Sequence, residues 1–98
     1  MSYERVLGRL MDFGLTRLEA KIYVFLAKFG PKPEKEIANG LNLSKKRLSH
    51  SMKNLQQEGF VRSQAQTFFT AIPLQDILDD IIERKVQEAR RIGEENSV

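Results

Sequence analysis

Residues 33–59, PEKEIANGLNLSKKRLSHSMKNLQQEG, decide the fold. Pro33 suits the first turn of a helix, where its missing N–H would have no partner in any case. Ile37 and Ala38 supply the inward face of a short helix that ends at about Asn39. Gly40-Leu41-Asn42-Leu43 reads as a tight turn. Ser44 then caps a second helix, its hydroxyl accepting from a first-turn N–H, and Leu43 before the cap is placed to staple onto Leu48. This second helix is predicted over 45–58, and Gly59 stops it. Two helices joined by a short glycine-containing turn form a helix-turn-helix.

The second helix has two unlike sides. On a wheel at about 100° per residue with Leu48 at zero, Met52 and Leu55 fall within about 40° of it. These three form the buried face. Lys46, His50, Lys53 and Gln57 fall opposite, between about 140° and 200°. Ser49 and Asn54 lie at intermediate angles, with Lys45 and Arg47 on the two flanks. No acid occurs on this helix until Glu58 at its end. Lys and Arg neutralise phosphates and release counterions. Lys, Ser, Asn, Gln and His reach the donors and acceptors on base edges in the major groove. The candidate base-reading residues are therefore Lys46, Ser49, His50 and Lys53. Ser44, Lys45 and Arg47 are candidate phosphate contacts.

The flanking sequence supplies a small body for this unit. Ser2 caps a first helix to about Met11, with Val6, Leu7 and Leu10 on one face, and Gly14 marks its exit. Thr16-Arg17-Leu18-Glu19 has the capping-box pattern, in which hydroxyl and carboxylate each satisfy an orphan N–H. The helix it opens is predicted to reach Phe29, with Leu18, Ile22, Phe25 and Phe29 on one face and Tyr23, Val24 and Ala27 on the other. Gly30-Pro31 ends it. After Gly59, residues 60–64 and 67–72 read as two strands of a hairpin, with Ala65-Gln66 at the turn. Arg62 is the only cation of this hairpin and its candidate DNA contact. Phe68 and Phe69 are adjacent and point to opposite faces, so one of them belongs to the core.

Pro73 opens a last helix, expected from Leu74 to Ile92. Leu74, Leu78, Ile82, Ala89 and Ile92 share one side, flanked by Ile77, Ile81 and Val86, with Lys85 inside the stripe. A stripe of this width and length exceeds what a small domain covers, which points to self-association through Leu74, Leu78, Ile81, Ile82, Lys85, Val86, Ala89 and Ile92. Asp76, Asp79 and Asp80 precede Arg84, an order that suits the helix dipole and an Asp80–Arg84 pair.

Composition narrows the function. The 98 residues carry 16 Lys plus Arg, 13 Asp plus Glu, one His and no Cys. Disulfides and thiolate sites are excluded by the missing cysteine, and one His cannot build a multi-His metal centre. The longest apolar run, Ile22 to Ala27, is far below the ~20 residues of a membrane span. The cytoplasm is the expected compartment, with neither metal nor cofactor expected. Net charge is +4 over residues 31–64 and −3 over 65–98, so the cationic surface is local. No nucleophile–base pair, paired carboxylates or phosphate loop can be assembled, so no enzyme is expected.

The run Phe13-Gly14-Leu15-Thr16-Arg17-Leu18-Glu19-Ala20-Lys21-Ile22-Tyr23 resembles the opening of the TrmB-like winged-helix transcriptional regulators of archaea. Further points of resemblance are Gly30-Pro31, Glu36-Ile37-Ala38, Leu43-Ser44, Leu55, Glu58-Gly59-Phe60-Val61 and Thr70-Ala71-Ile72-Pro73-Leu74. The resemblance implies a winged-helix fold, DNA binding and a dimer, and it aligns Ser44 to Lys53 with the family's recognition helix. The sequence ends after one further helix, short of the sugar-binding domain of larger members, so effector sensing by that route is not among the expectations.

The expected fold is mainly α with a small β-hairpin, a winged helix-turn-helix followed by a dimerisation helix. The expected division is 1–72 as DNA-binding domain, 73–93 as pairing helix and 94–98 as flexible tail. The expected function is a homodimeric, sequence-specific regulator that binds double-stranded DNA through the 45–58 helix. The alternative left by the same residues is a winged-helix module that docks on protein and binds no DNA.

Overall fold

The computed structural model describes the backbone of residues 2–65 and 67–96, and the side chains of these other than 85 and 88–96. The chain runs α1 (Tyr3–Asp12), α2 (Arg17–Phe29), β1 (Lys32–Pro33), α3 (Glu34–Leu41), α4 (Lys45–Gln57), β2 (Val61–Gln64), β3 (Phe68–Ala71) and α5 (Leu74–Asn96). It is mainly helical, with a small antiparallel sheet of order β1-β3-β2.

Local hydrogen bonds set the helix starts. Ser2 Oγ accepts from the Arg5 N–H at 3.2 Å. At α2 the capping box closes in both directions: the Glu19 N–H donates to Thr16 Oγ1 at 3.1 Å, and the Thr16 N–H donates to Glu19 Oε1 at 2.8 Å. Glu19 is only 6% exposed, and this reciprocal bond gives the carboxylate its partner. Gly30 ends α2 with φ of 81°, a conformation that costs a residue with a Cβ.

The buried face of α2 matches the expected one in part: Ile22 and Tyr23 are buried and Leu18, Val24 and Phe25 pack against the core. Ala20, Ile22, Tyr23 and Leu26 are buried, while Phe29 is 53% exposed and Ala27 faces solvent. The helix packs on α1, α3, α4 and the sheet. Neighbours on several sides select a broad face that single-helix periodicity places about one position off. Below it, the core takes Leu7 and Leu10 from α1, Ile37 from α3, Leu48, Met52 and Leu55 from α4, and Phe60 and Val61 at the start of β2.

Two boundaries also move. α3 runs through Gly40 to Leu41, beyond the expected end at Asn39, and the chain reverses at Asn42 in the left-handed region with φ of 54°. Within this helix the Phe25 ring lies against Gly40, where a Cβ would sit 2.6 Å from the ring. The expected hairpin gains a third strand, since Lys32 pairs with Phe69 and Pro33 with Phe68. Proline is tolerated on such an edge because no ladder N–H is required of it. Pro33 is consequently the N-cap residue of α3, not part of its first turn.

One hydrogen bond joins helical body and sheet. Tyr23 Oη donates to the Ile72 carbonyl at 2.6 Å, and its ring meets Phe60 edge-on at 6.1 Å. Burial pushes the Tyr23 phenol up to about 12 from its usual 10.0. α5 leaves just beyond this clasp. Ile77 joins the core and Ile81 packs against it, while Leu74, Ile82 and Val86 are exposed. The helix continues to Asn96, so the first three residues of the expected tail at 94–98 are helical. Residues 97 and 98 lie outside the described residues.

The Tyr23 clasp has measurable consequences. Tyr23→Phe leaves the Ile72 carbonyl without its donor and is expected to lower stability by about 1–2 kcal/mol in chemical denaturation. Because the folded phenol titrates above the unfolded one, its contribution is complete below about pH 10 and falls as pH rises towards about 12. Tyr23→Phe removes that share of the alkaline decline. An unchanged alkaline profile in the variant contradicts this role.

Candidate nucleic-acid interface

α4 stands at the centre of the candidate site, and its rotation is fixed from both ends. At its start, the Leu43 N–H donates to the Ala38 carbonyl at 2.9 Å, which ties the turn to α3. Ser44 Oγ accepts from the Arg47 N–H at 3.3 Å, the expected cap. At its end, the Phe60 N–H donates to the Leu55 carbonyl at 2.9 Å, and Gly59 takes φ of 82°. Leu48 and Leu55 are fully buried and Met52 nearly so. Ser51 is also buried, a fourth inward position that wheel and hydropathy did not single out because its side chain is polar.

That anchoring turns Ser44, Lys45, Lys46, Arg47, Ser49, His50 and Lys53 to solvent, as the wheel predicted. None of these cations makes an ion pair among the described residues. Arg62 is exposed on β2, opposite Thr70 on β3. The β2–β3 turn places Ala65 at φ of 54°, and Gln66 lies outside the described residues. Phe69 is the half-buried member of the aromatic pair and Phe68 the exposed one.

One neighbour was not legible from the helix alone. Glu34, the first residue of α3, reaches α4, where Ser49 Oγ donates to its Oε1 at 2.7 Å. Fifteen residues separate the pair, so only the folded helix-turn-helix brings them together. Elsewhere, Arg17 and Glu4 form an exposed ion pair at 2.8 Å, and the Arg17 guanidinium holds the Glu4 carboxyl below its usual range.

The first turn of α4 is electrostatically unusual. It holds Lys45, Lys46 and Arg47 and no acid. A helix N-terminus already carries about half a positive charge, so acids are favoured there and cations are not. α2 follows the rule with Glu19 and α3 with Glu34 and Glu36. At α4 the exposed N–H groups and three cations add to one positive field, which suits an anionic backbone.

The pairing residues expected on α5 divide into three sets. Leu74, Ile82 and Val86 are exposed, and Leu78 is half-buried. Ile81 packs against the chain's own core. The side chains of Lys85, Ala89 and Ile92 lie outside the described residues. Arg84 donates to Asp80 Oδ2 at 2.6 Å, the pair expected from their spacing. No helix among the described residues is long and apolar enough to cross a membrane, and no group of three or more His, Cys, Asp or Glu among them would hold a metal ion.

Residues 10–75, two thirds of the chain, match the family described as the sugar-specific transcriptional regulator TrmB. The chain belongs to the TrmB family. Its fold is that of winged-helix regulators. The archaeal chromatin protein TrmBL2, whose structure is described as showing a novel mode of DNA binding, superposes with a TM-score of 0.79 at 23% identity. That likeness covers 95% of this chain and 37% of the other, so the TrmB-family chain spans little more than a third of that relative's length. A transcriptional regulator from Thermotoga maritima gives a TM-score of 0.59 at 21% identity, covering 91% of this chain and 68% of that one. A MarR-like regulator from the same organism gives 0.55 at 18%, covering 100% and 99%. A comparison with curated protein sequences gives no match.

The first turn of α4 yields a prediction about stability. Replacing Lys45 and Lys46 together by Glu should leave the thermal midpoint unchanged or raise it, through a gain in stability of about 0.3–1 kcal/mol per residue changed at low salt. A marked drop in the midpoint would mean that these cations serve the fold.

Proposed function

We propose that this TrmB-family chain is a homodimeric regulator that binds duplex DNA sequence-specifically, with α4 in the major groove and Arg62 beside the phosphate backbone. The observation that carries the reading is the set of exposed cations on α4, without ion pairs among the described residues and gathered at a helix N-terminus, where cations are disfavoured. In a helix-turn-helix the N-terminal residues of the second helix contact base edges. On this reading Lys46, Ser49, His50 and Lys53 face bases, while Ser44, Lys45 and Arg47 face phosphates. The described DNA binding of TrmBL2, the structural relative with the TM-score of 0.79, is in line with it.

Residues 1–72 would then form the DNA-binding unit and α5 the pairing element. Support comes from the exposed Leu74, Ile82 and Val86, which a second copy would cover. Lys85, Ala89 and Ile92 belong to the proposed pairing set by their spacing in the sequence alone. Two-fold pairing would set two recognition helices about one turn of duplex apart, roughly 34–36 Å. The cytoplasm is the compartment that fits a regulator of this kind.

Two measurements test the proposal. Binding to duplex should weaken steeply with salt, and Lys46→Ala with Lys53→Ala should reduce the log–log slope by about 1.8 if each lysine neutralises one phosphate-equivalent of counterion. An unchanged slope removes α4 from the interface, and absence of binding at low salt favours a protein-docking module instead. Ile82→Glu with Val86→Glu should convert a dimer to a monomer in sedimentation while the helical signal persists, because both side chains are already exposed. An undiminished dimer would place the pairing surface elsewhere.

A further inference from the structure

The contact between α3 and α4 bears on which base pair the helix prefers. Ser49 lies on the exposed face of α4, and its hydroxyl proton is committed to Glu34 Oε1 at 2.7 Å. An ionised carboxylate offers lone pairs alone, and a serine hydroxyl whose proton is engaged offers lone pairs alone. The two together therefore present acceptors and no donor. Glu34 makes no ion pair among the described residues, although Lys35 and Lys45 line the same groove. Its backbone is held in place as well: Pro33 immediately before it pairs with Phe68 in the sheet. On α4, Lys46 one turn before Ser49 and Lys53 one turn after it lie towards the same side and present donors alone.

We infer that Glu34 and Ser49 act as one acceptor-only reading unit that selects a C·G pair, with cytosine at the unit and guanine towards Lys46 or Lys53. This rests on the duplex-binding reading above and deepens it. In the major groove, cytosine shows only its N4 amino donor, and guanine shows the O6 and N7 acceptors. An acceptor unit beside lysine donors complements that edge. Adenine offers an amino group too, but its N7 acceptor would meet the lone pairs of the unit. Thymine and guanine at the unit would present acceptors to acceptors. A carboxylate that finds no amino group is left desolvated near phosphates with Ser49 alone donating to it, so Glu34 also penalises wrong sequences.

Selection of bound duplexes from a randomised pool, carried out in parallel with the intact chain, Glu34→Gln and Ser49→Ala, tests this. The expected wild-type result is a C·G preference at one position per half-site, on the order of ten-fold over other pairs. Glu34→Gln adds a donor, so it should lose the preference at that position alone, keep the remaining pattern, and bind non-selected duplex more tightly. Ser49→Ala should weaken the preference at the same position. The same base pattern for Glu34→Gln as for wild type overturns the inference while leaving duplex binding intact. Loss of selection at all positions together also overturns it, since that marks a structural role for Glu34. No selected duplex from wild type overturns the duplex-binding reading and, with it, this inference.

Discussion

Burial of Leu48, Met52 and Leu55 fixes the rotation of α4 about its own axis, and the character of the exposed surface follows from that. Each such side chain contributes about 1.5–3 kcal/mol when removed from water. A turn of one position about the axis would expose Leu48 or bury a polar neighbour, and the helix has no second apolar face to offer. The same constraint that completes the core therefore determines which side chains meet solvent. Lys46, Ser49, His50 and Lys53 are outward because Leu48, Met52 and Leu55 are inward. The turn at Asn42 and the cap at Ser44 set where the helix begins, so rotation and start together place the cations.

What could be read from sequence follows the range of the interactions. The starts of α1, α2 and α4 rest on bonds spanning three residues, and Ser2, Thr16 with Glu19, and Ser44 announce them. The α4 core face was legible because three large apolar residues share it without competition. The buried face of α2 was legible only in part, because contacts on several sides also cover Ala20 and Leu26 and leave Phe29 out. β1 was invisible for a similar reason: Lys32 and Pro33 have no strand character of their own and pair only because β3 lies beside them. Gly40 looked like a turn residue, but its missing side chain makes room for Phe25 within a helix. The Glu34–Ser49 bond, between helices, had no signature along either one.

Stability and the proposed DNA contact pull in opposite directions at α4. Its first turn sets Lys45, Lys46 and Arg47 against the positive end of the helix, where α2 and α3 carry acids. The fold tolerates this because the Leu48 face and the Ser44 cap hold the helix independently of charge. α5 shows the complementary arrangement. Ile77 and Ile81 attach it to the body near the Tyr23–Ile72 clasp, while Leu74, Ile82 and Val86 remain uncovered. The exposed cations of α4 and the uncovered apolar side chains of α5 thus sit on separate elements, joined through the sheet and α2.

The most direct test of the central claim is to titrate a short duplex at low salt into the isotopically labelled chain and follow its backbone amide resonances. The account predicts that the largest shifts fall on Ser44 to Lys53, with a smaller set at Arg62, and that α1 and the exposed face of α5 stay in place. Shifts confined to α5, or no shift anywhere in α4, would contradict it.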